Sequence, residues 1–180
     1  MLQYICIVLF IVFNITTSNN TKTRSNCQKK STIITVLSSE NLKPEDSANI
    51  YHVLGWNAYK AKKLGAARYY WELGSIYNTN VSAKYNCAFR LGLLHQTGEG
   101  VGKNTELAFY YYNIAYANGQ RIGNVDATKN IAAYYENGIF VAKDINKALE
   151  WYQKAKAQGN KYCNIDIARV KENLAKQGIQ

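Results

Sequence analysis

Acidic residues are scarce in this 180-residue chain: 12 Asp and Glu stand against 22 Lys and Arg, leaving a formal charge of +10. Such an excess attracts acidic partners, but charge alone does not choose among nucleic acid, anionic lipid, cell-wall polymer and an acidic protein. Proline occurs once and glycine 12 times, which excludes a collagenous or proline-rich linker protein. No uninterrupted apolar stretch reaches the ~20 residues that a spanning helix needs, so a multipass membrane protein is excluded too. Histidine is limited to His52 and His95, and there is no His-Glu-x-x-His, Gly-x-Ser-x-Gly, Ser-x-x-Lys or Cys-x-x-Cys. The usual starting points for metal-assisted or nucleophilic catalysis are therefore missing, and neither a cofactor nor a metal is expected. What is present, 47% hydrophobic against 19% charged residues, describes a folded globular chain of about one domain.

The first segment bears on compartment. Residues 2–15 read LQYICIVLFIVFNI, with an apolar run from Tyr4 to Phe13 followed by Thr16, Thr17 and Ser18. Run length and small-residue exit fit a secretory signal peptide cleaved near Ser18, although no Lys or Arg precedes the run. An N-terminal membrane anchor is the competing reading; about 14 residues at ~1.5 Å each reach roughly 21 Å, short of a ~30 Å hydrocarbon core. The expected form is exported, periplasmic or secreted, with no membrane span in the mature chain. With Cys6 in that segment, Cys27, Cys87 and Cys163 remain. In an oxidising compartment Cys27 would bridge to Cys163 or to Cys87 and leave one free thiol; Cys87 by itself reads as a small buried helix residue.

Beyond a polar, mostly irregular lead-in at 19–43, the chain repeats itself. A shift of 40 residues lays Leu91 on Ile131, Gly98 on Gly138, Val101 on Val141, Ala108 on Ala148, Tyr112 on Tyr152, Ala115 on Ala155 and Gly119 on Gly159. An earlier copy matches at shifts of 37 (Leu54 and Gly55 on Leu91 and Gly92) and 41 (Ala67 and Trp71 on Ala108 and Tyr112), so its loop is four residues shorter. Each copy splits into two helices. Ala88, Leu91, Gly92 and His95 share one helix face; Gly98, Gly100 and Gly102 break that helix; Asn104 caps the next, and Gly119 is expected to end it as a left-handed C-cap. Asp144 and Gly159 repeat the start and stop. Small residues at Gly92, Ala108, Ala132 and Ala148 allow antiparallel helices to approach, and large aromatics fill the space beside them. Stacked pairs of this kind form an all-α, right-handed α-solenoid of about three helix-pair repeats: 44–80, 81–119 and 120–159. Residues 160–180, with apolar Ile165, Ala168 and Leu174 among charges, read as a capping helix.

These residues resemble the Sel-1-like repeat, a longer-looped relative of the tetratricopeptide repeat. Its pattern is met at Leu91, Gly92, Gly98, Gly100, Val101, Ala108, Tyr111, Tyr112, Ala115 and Gly119, and again at Gly138, Val141, Asp144, Lys147, Ala148, Trp151, Tyr152, Ala155 and Gly159. The third copy departs at Ile131, Ala132, Ile139 and Phe140, so its loop is expected to be less glycine-like. The first copy lacks the glycine loop and carries Gly74 in place of alanine. The resemblance implies a protein-binding module. Cysteine-rich exported relatives are associated with penicillin binding and β-lactam hydrolysis, but their cysteine pair in each repeat is not met here. Others act as adaptors, regulators or immunity proteins against secreted toxins.

In such solenoids the first helices line a concave wall. Counting from the Leu-Gly landmark places Asn49, His52, Trp56 and Tyr59, then Asn86, Phe89, Leu93 and Gln96, then Asp126, Lys129, Ala133 and Glu136 toward the groove. The expected partner-binding residues are His52, Trp56, Tyr59, Asn86, Phe89, Leu93, Gln96 and Lys129, since large aromatics dominate interface energetics. The competing reading has the aromatics pack on the lead-in or complete the core. The expected function is non-enzymatic binding of another protein, acidic in character. Basic clusters at Lys60, Lys62 and Lys63 and at Lys154, Lys156, Lys161, Arg169 and Lys171 read as solvated faces, and nucleic acid is disfavoured because the aromatics fall at repeat positions and an exported protein meets little of it. An immunity protein or a penicillin-interacting protein is the alternative.

Overall fold

The computed structural model describes residues 44–76, 82–117, 124–176 and 178. The signal or anchor segment, the lead-in and Cys27 lie outside the described residues. Within them the chain forms seven α-helices and no strand: α1 (Pro44–Lys60), α2 (Leu64–Ile76), α3 (Ser82–Thr97), α4 (Thr105–Tyr116), α5 (Val125–Asn137), α6 (Ile145–Ala157) and α7 (Cys163–Lys176). Helices α1/α2, α3/α4 and α5/α6 pair, successive pairs stack, and α7 closes the far end, giving a right-handed α-solenoid.

The pairing follows from side-chain size. Gly55 lies under Trp71, Gly92 under Tyr112, and Ala132 packs in the cluster that holds Tyr152, so each pair presses an aromatic of its second helix onto a near-absent side chain of its first. Ala67, Ala108 and Ala148 are fully buried beside them. Three clusters result, around Trp71 with Leu91, around Tyr112 with Ile131 and Tyr134, and around Tyr152 with Val170.

The loops repeat as closely as the helices. Asn104 and Asp144 cap α4 and α6 with almost the same backbone, φ −145° and −146°, and each side chain accepts from the amide three residues on at 2.9 Å. The Asn104 amide donates to the His95 carbonyl and the Asp144 amide to that of Tyr135, closing both loops alike. The third loop keeps the shape of the second despite its different residues. Gly138 (φ 67°) replaces Gly98 (φ 78°), and Phe140 takes φ 60° where Gly100 has 75°. A non-glycine in this region costs about 1–2 kcal/mol. Phe140 is held there by the 2.7 Å bond from the Val141 amide to the Ile139 carbonyl and by ring contact with Phe109.

Two details differ from the sequence reading. Helix α4 ends at Tyr116, and Ala117 (φ 54°) is the left-handed cap in place of Gly119, which lies outside the described residues. Beyond the cap the Asn124 amide donates to the Ala115 carbonyl at 2.7 Å. On α7 the inward stripe is Cys163, Ile167, Val170 and Leu174, whereas Ile165 is 75% exposed and Ala168 faces solvent.

Candidate functional site

Helices α1, α3, α5 and α7 stand side by side as one wall, and the bonds between neighbours divide it into two halves. The C-terminal half is latched. Lys129 on α5 pairs with Asp166 on α7 at 3.0 Å, and Arg169 forks the carboxylate of Glu136, which also accepts from the Tyr152 hydroxyl at 2.8 Å. Asn160 donates to Asp126 at 3.0 Å. Lys129, expected to face a partner, is thus paired across to the capping helix.

The N-terminal half is aromatic and open. Trp56 stacks on Tyr59 with centroids 5.6 Å apart and planes within 11°. The Arg90 guanidinium lies 4.5 Å from the Trp56 centroid and the Lys60 ammonium 5.3 Å, geometries in which the ring quadrupole attracts a cation. The Tyr59 hydroxyl donates to Glu99 at 2.9 Å, a bond that raises its pKa. Between α1 and α3 these side chains enclose a cleft of about 140 Å³, floored by buried Trp71 and Leu94 and bordered by Trp56, Tyr59, Arg90, Leu93, Thr97 and Glu99.

Of the residues singled out from sequence, Trp56, Tyr59 and Leu93 meet in this cleft, all half-buried. Phe89 adjoins it, packed on Tyr112 and 5.8 Å from the Arg90 guanidinium. His52 is half-buried, and its carbonyl receives the Trp71 indole N–H at 3.4 Å. Asn86 and Gln96 are engaged within the fold, the former accepting from Asn124 at 2.8 Å and the latter from the Tyr112 hydroxyl. Arg90, Thr97 and Glu99 were missed. The first two sit one helical turn beyond Asn86 and Leu93 at i+4, and a stripe counted only at i+3 and i+7 passes over them.

The cysteines and histidines serve the interior. Cys87 and Cys163 are free and fully buried, with burial pushing the Cys87 thiol up to about 12. His95 stacks on Tyr111 at 5.7 Å with its Nδ1 buried and unpartnered. Burial, followed by the Arg68 charge for His95 and the Arg90 charge for His52, lowers both imidazole pKa values below 6.5. The unfolded chain therefore takes up protons first, and stability is lost as pH falls through the unfolded value toward the folded ones. Urea unfolding at about pH 7.5 and about pH 5 should show this acid loss, reduced in His95→Gln, in which an uncharged side chain has no proton to gain. An equal loss in that variant would remove His95 as a source. Among the described residues there is no cluster of His, Cys, Asp and Glu that could hold a metal, and no helix is long and apolar enough to cross a membrane.

Paired helices stacked through small-on-aromatic contacts define a paired-helix repeat protein. The Sel1 repeat model matches residues 86–120 and 125–160, the second and third helix pairs. These two stretches match Sel1 repeats, units that generally mediate protein–protein interaction. It is similar to a solved structure, the Sel1 repeat protein from Oxalobacter formigenes, at 27% identity and a TM-score of 0.56, over 69% of this chain and 92% of that one. No curated protein matches it.

Proposed function

We propose that the protein is an exported adaptor that holds a second protein against its first-helix wall and performs no chemistry of its own. The observation that carries the reading is the convergence of Trp56, Tyr59, Leu93 and Arg90 on one cleft, while Lys129 and Glu136 in the C-terminal half are paired with the capping helix. Aromatic and arginine side chains at the centre of a wall are the residue types that anchor protein interfaces. Export is supported by the apolar run from Tyr4 to Phe13 with its small-residue exit, and an acidic partner surface by the +10 charge.

Affinity capture from envelope extracts, comparing wild type with a Trp56→Ala/Phe89→Ala variant of unchanged helicity, tests the wall. Partners retained by the wild type are expected to be lost from the variant. Equal recovery of every partner would remove the wall from the account.

A further inference from the structure

We propose that the cleft between α1 and α3 receives one medium-sized apolar side chain of an extended acidic peptide segment, whose neighbouring carboxylate is forked by the Arg90 guanidinium. The inference rests on the reading of the first-helix wall as a protein-binding surface and specifies the chemistry of its occupant.

Volume sets the anchor. The cleft encloses about 140 Å³, and a cavity of about 150 Å³ lined by aliphatic and aromatic groups holds one benzene-sized body. Its floor of Trp71 and Leu94 and its flanks of Tyr59 and Leu93 are apolar, so the body it fits is a leucine-sized side chain rather than a charged head.

Charge sets what lies beside the anchor. Arg90 has no carboxylate within ion-pair distance among the described residues, in contrast to Arg169, which meets both Glu136 and Asp166, and Lys129, which meets Asp166. Attraction to the Trp56 ring holds the Arg90 guanidinium in place, yet its N–H fork is matched to a carboxylate that no described residue supplies at ion-pair distance. Lys60 and Lys62 lie over Trp56 and Tyr59, 5.3 and 6.0 Å from the ring centroids, and add to the positive rim. On the opposite rim Glu99 accepts from Tyr59, and its charge repels a second carboxylate. The acidic residue of the partner therefore lies on the Arg90 side of the anchor and not on the Glu99 side. A nucleic acid fits less well, because Tyr59, Lys60 and Arg90 already cover the Trp56 ring and leave little open face for a base to stack on.

The test is calorimetric titration of the full chain with N-acetylated hexapeptides centred on Asp-Asp-Leu, Lys-Lys-Leu or Asp-Asp-Gly, and with a charge-matched single-stranded DNA. The Asp-Asp-Leu peptide should bind, and either glycine for leucine or Arg90→Gln, checked for an unchanged melting temperature, should weaken it roughly tenfold or more. Equal binding of the Lys-Lys-Leu peptide, equal competition by the DNA, or an indifferent Arg90→Gln variant would overturn the proposal. If the Lys-Lys-Leu peptide binds best and loses its affinity in Trp56→Ala, the acidic occupant is wrong while the wall reading stands. If no peptide binding responds to Trp56→Ala, both fall.

Discussion

Trp71→Ala is expected to destabilise the protein by about 3–5 kcal/mol, the range for removing a buried indole from a core that cannot collapse around the gap. Trp71 is 1% exposed, and its indole fills the space left by Gly55, touches the Tyr59 ring at a centroid distance of 5.8 Å and donates to the His52 carbonyl. Nothing on the facing stretch of α1 can follow the indole inward, because the position beneath it is already glycine. The loss should be local. Repeat arrays are held by each unit and its nearest neighbours, so hydrogen exchange ought to quicken across α1 and α2 while α5 and α6 keep their protection. Because Trp71 floors the cleft, peptide binding should fall with it. Trp71→Phe, which keeps an aromatic body, should retain more of both. A uniform loss of protection along the whole chain would show instead that the pairs unfold as one cooperative block.

The helix pairs were legible in the sequence because their determinants are local or exactly periodic in kind. Asn104 and Asp144 announce a helix start by the chemistry of their own side chains, and a 40-residue shift lays Gly92 on Ala132, Gly98 on Gly138, Tyr111 on Trp151 and Tyr112 on Tyr152. The wall was legible only in part. Trp56, Tyr59 and Leu93 share the face that periodicity assigns them, but Lys129 is neutralised by Asp166 on α7, and no local pattern announces a partner that folding brings back from another helix. Arg90 acquires its meaning from Trp56 on a different repeat and from the lack, among the described residues, of a carboxylate within ion-pair distance, both properties of the assembled surface. The left-handed Phe140 runs against its own backbone preference; only its alignment with Gly100 carries the signal, and the loop shape wins because the flanking bonds from Val141 and Asp144 enforce it.

Gly92→Ala should cost about 1–3 kcal/mol despite adding a single methyl group and a better helix former, the usual range for forcing extra volume into a packed core. A Cβ at this position would fall 2.5 Å from Cε1 and 2.6 Å from Cδ1 of Tyr112, far inside van der Waals contact, so the ring or the helix must move. The ring has nowhere to go. Tyr112 is fully buried, bounded by Phe89 at 6.0 Å and Tyr134 at 5.9 Å between centroids, and its hydroxyl is fixed by Gln96. Helix α3 would have to lift from α4, and Leu93 and Arg90 would lift with it, so the variant should lose peptide affinity as well as melting temperature. The third pair supplies the control: Ala132 holds the equivalent place beside Tyr152 and already carries the methyl group. Ala132→Gly should therefore cost the helix penalty of about 0.5–1 kcal/mol plus about 0.8 kcal/mol for the buried methyl group, without any clash, and leave binding at the α1/α3 cleft unchanged. Thermal melts and calorimetry on the two variants decide the matter. A neutral Gly92→Ala would mean that α3 and α4 are not pressed together at this contact, and the small-on-aromatic account of how the pairs close would fail at its tightest point.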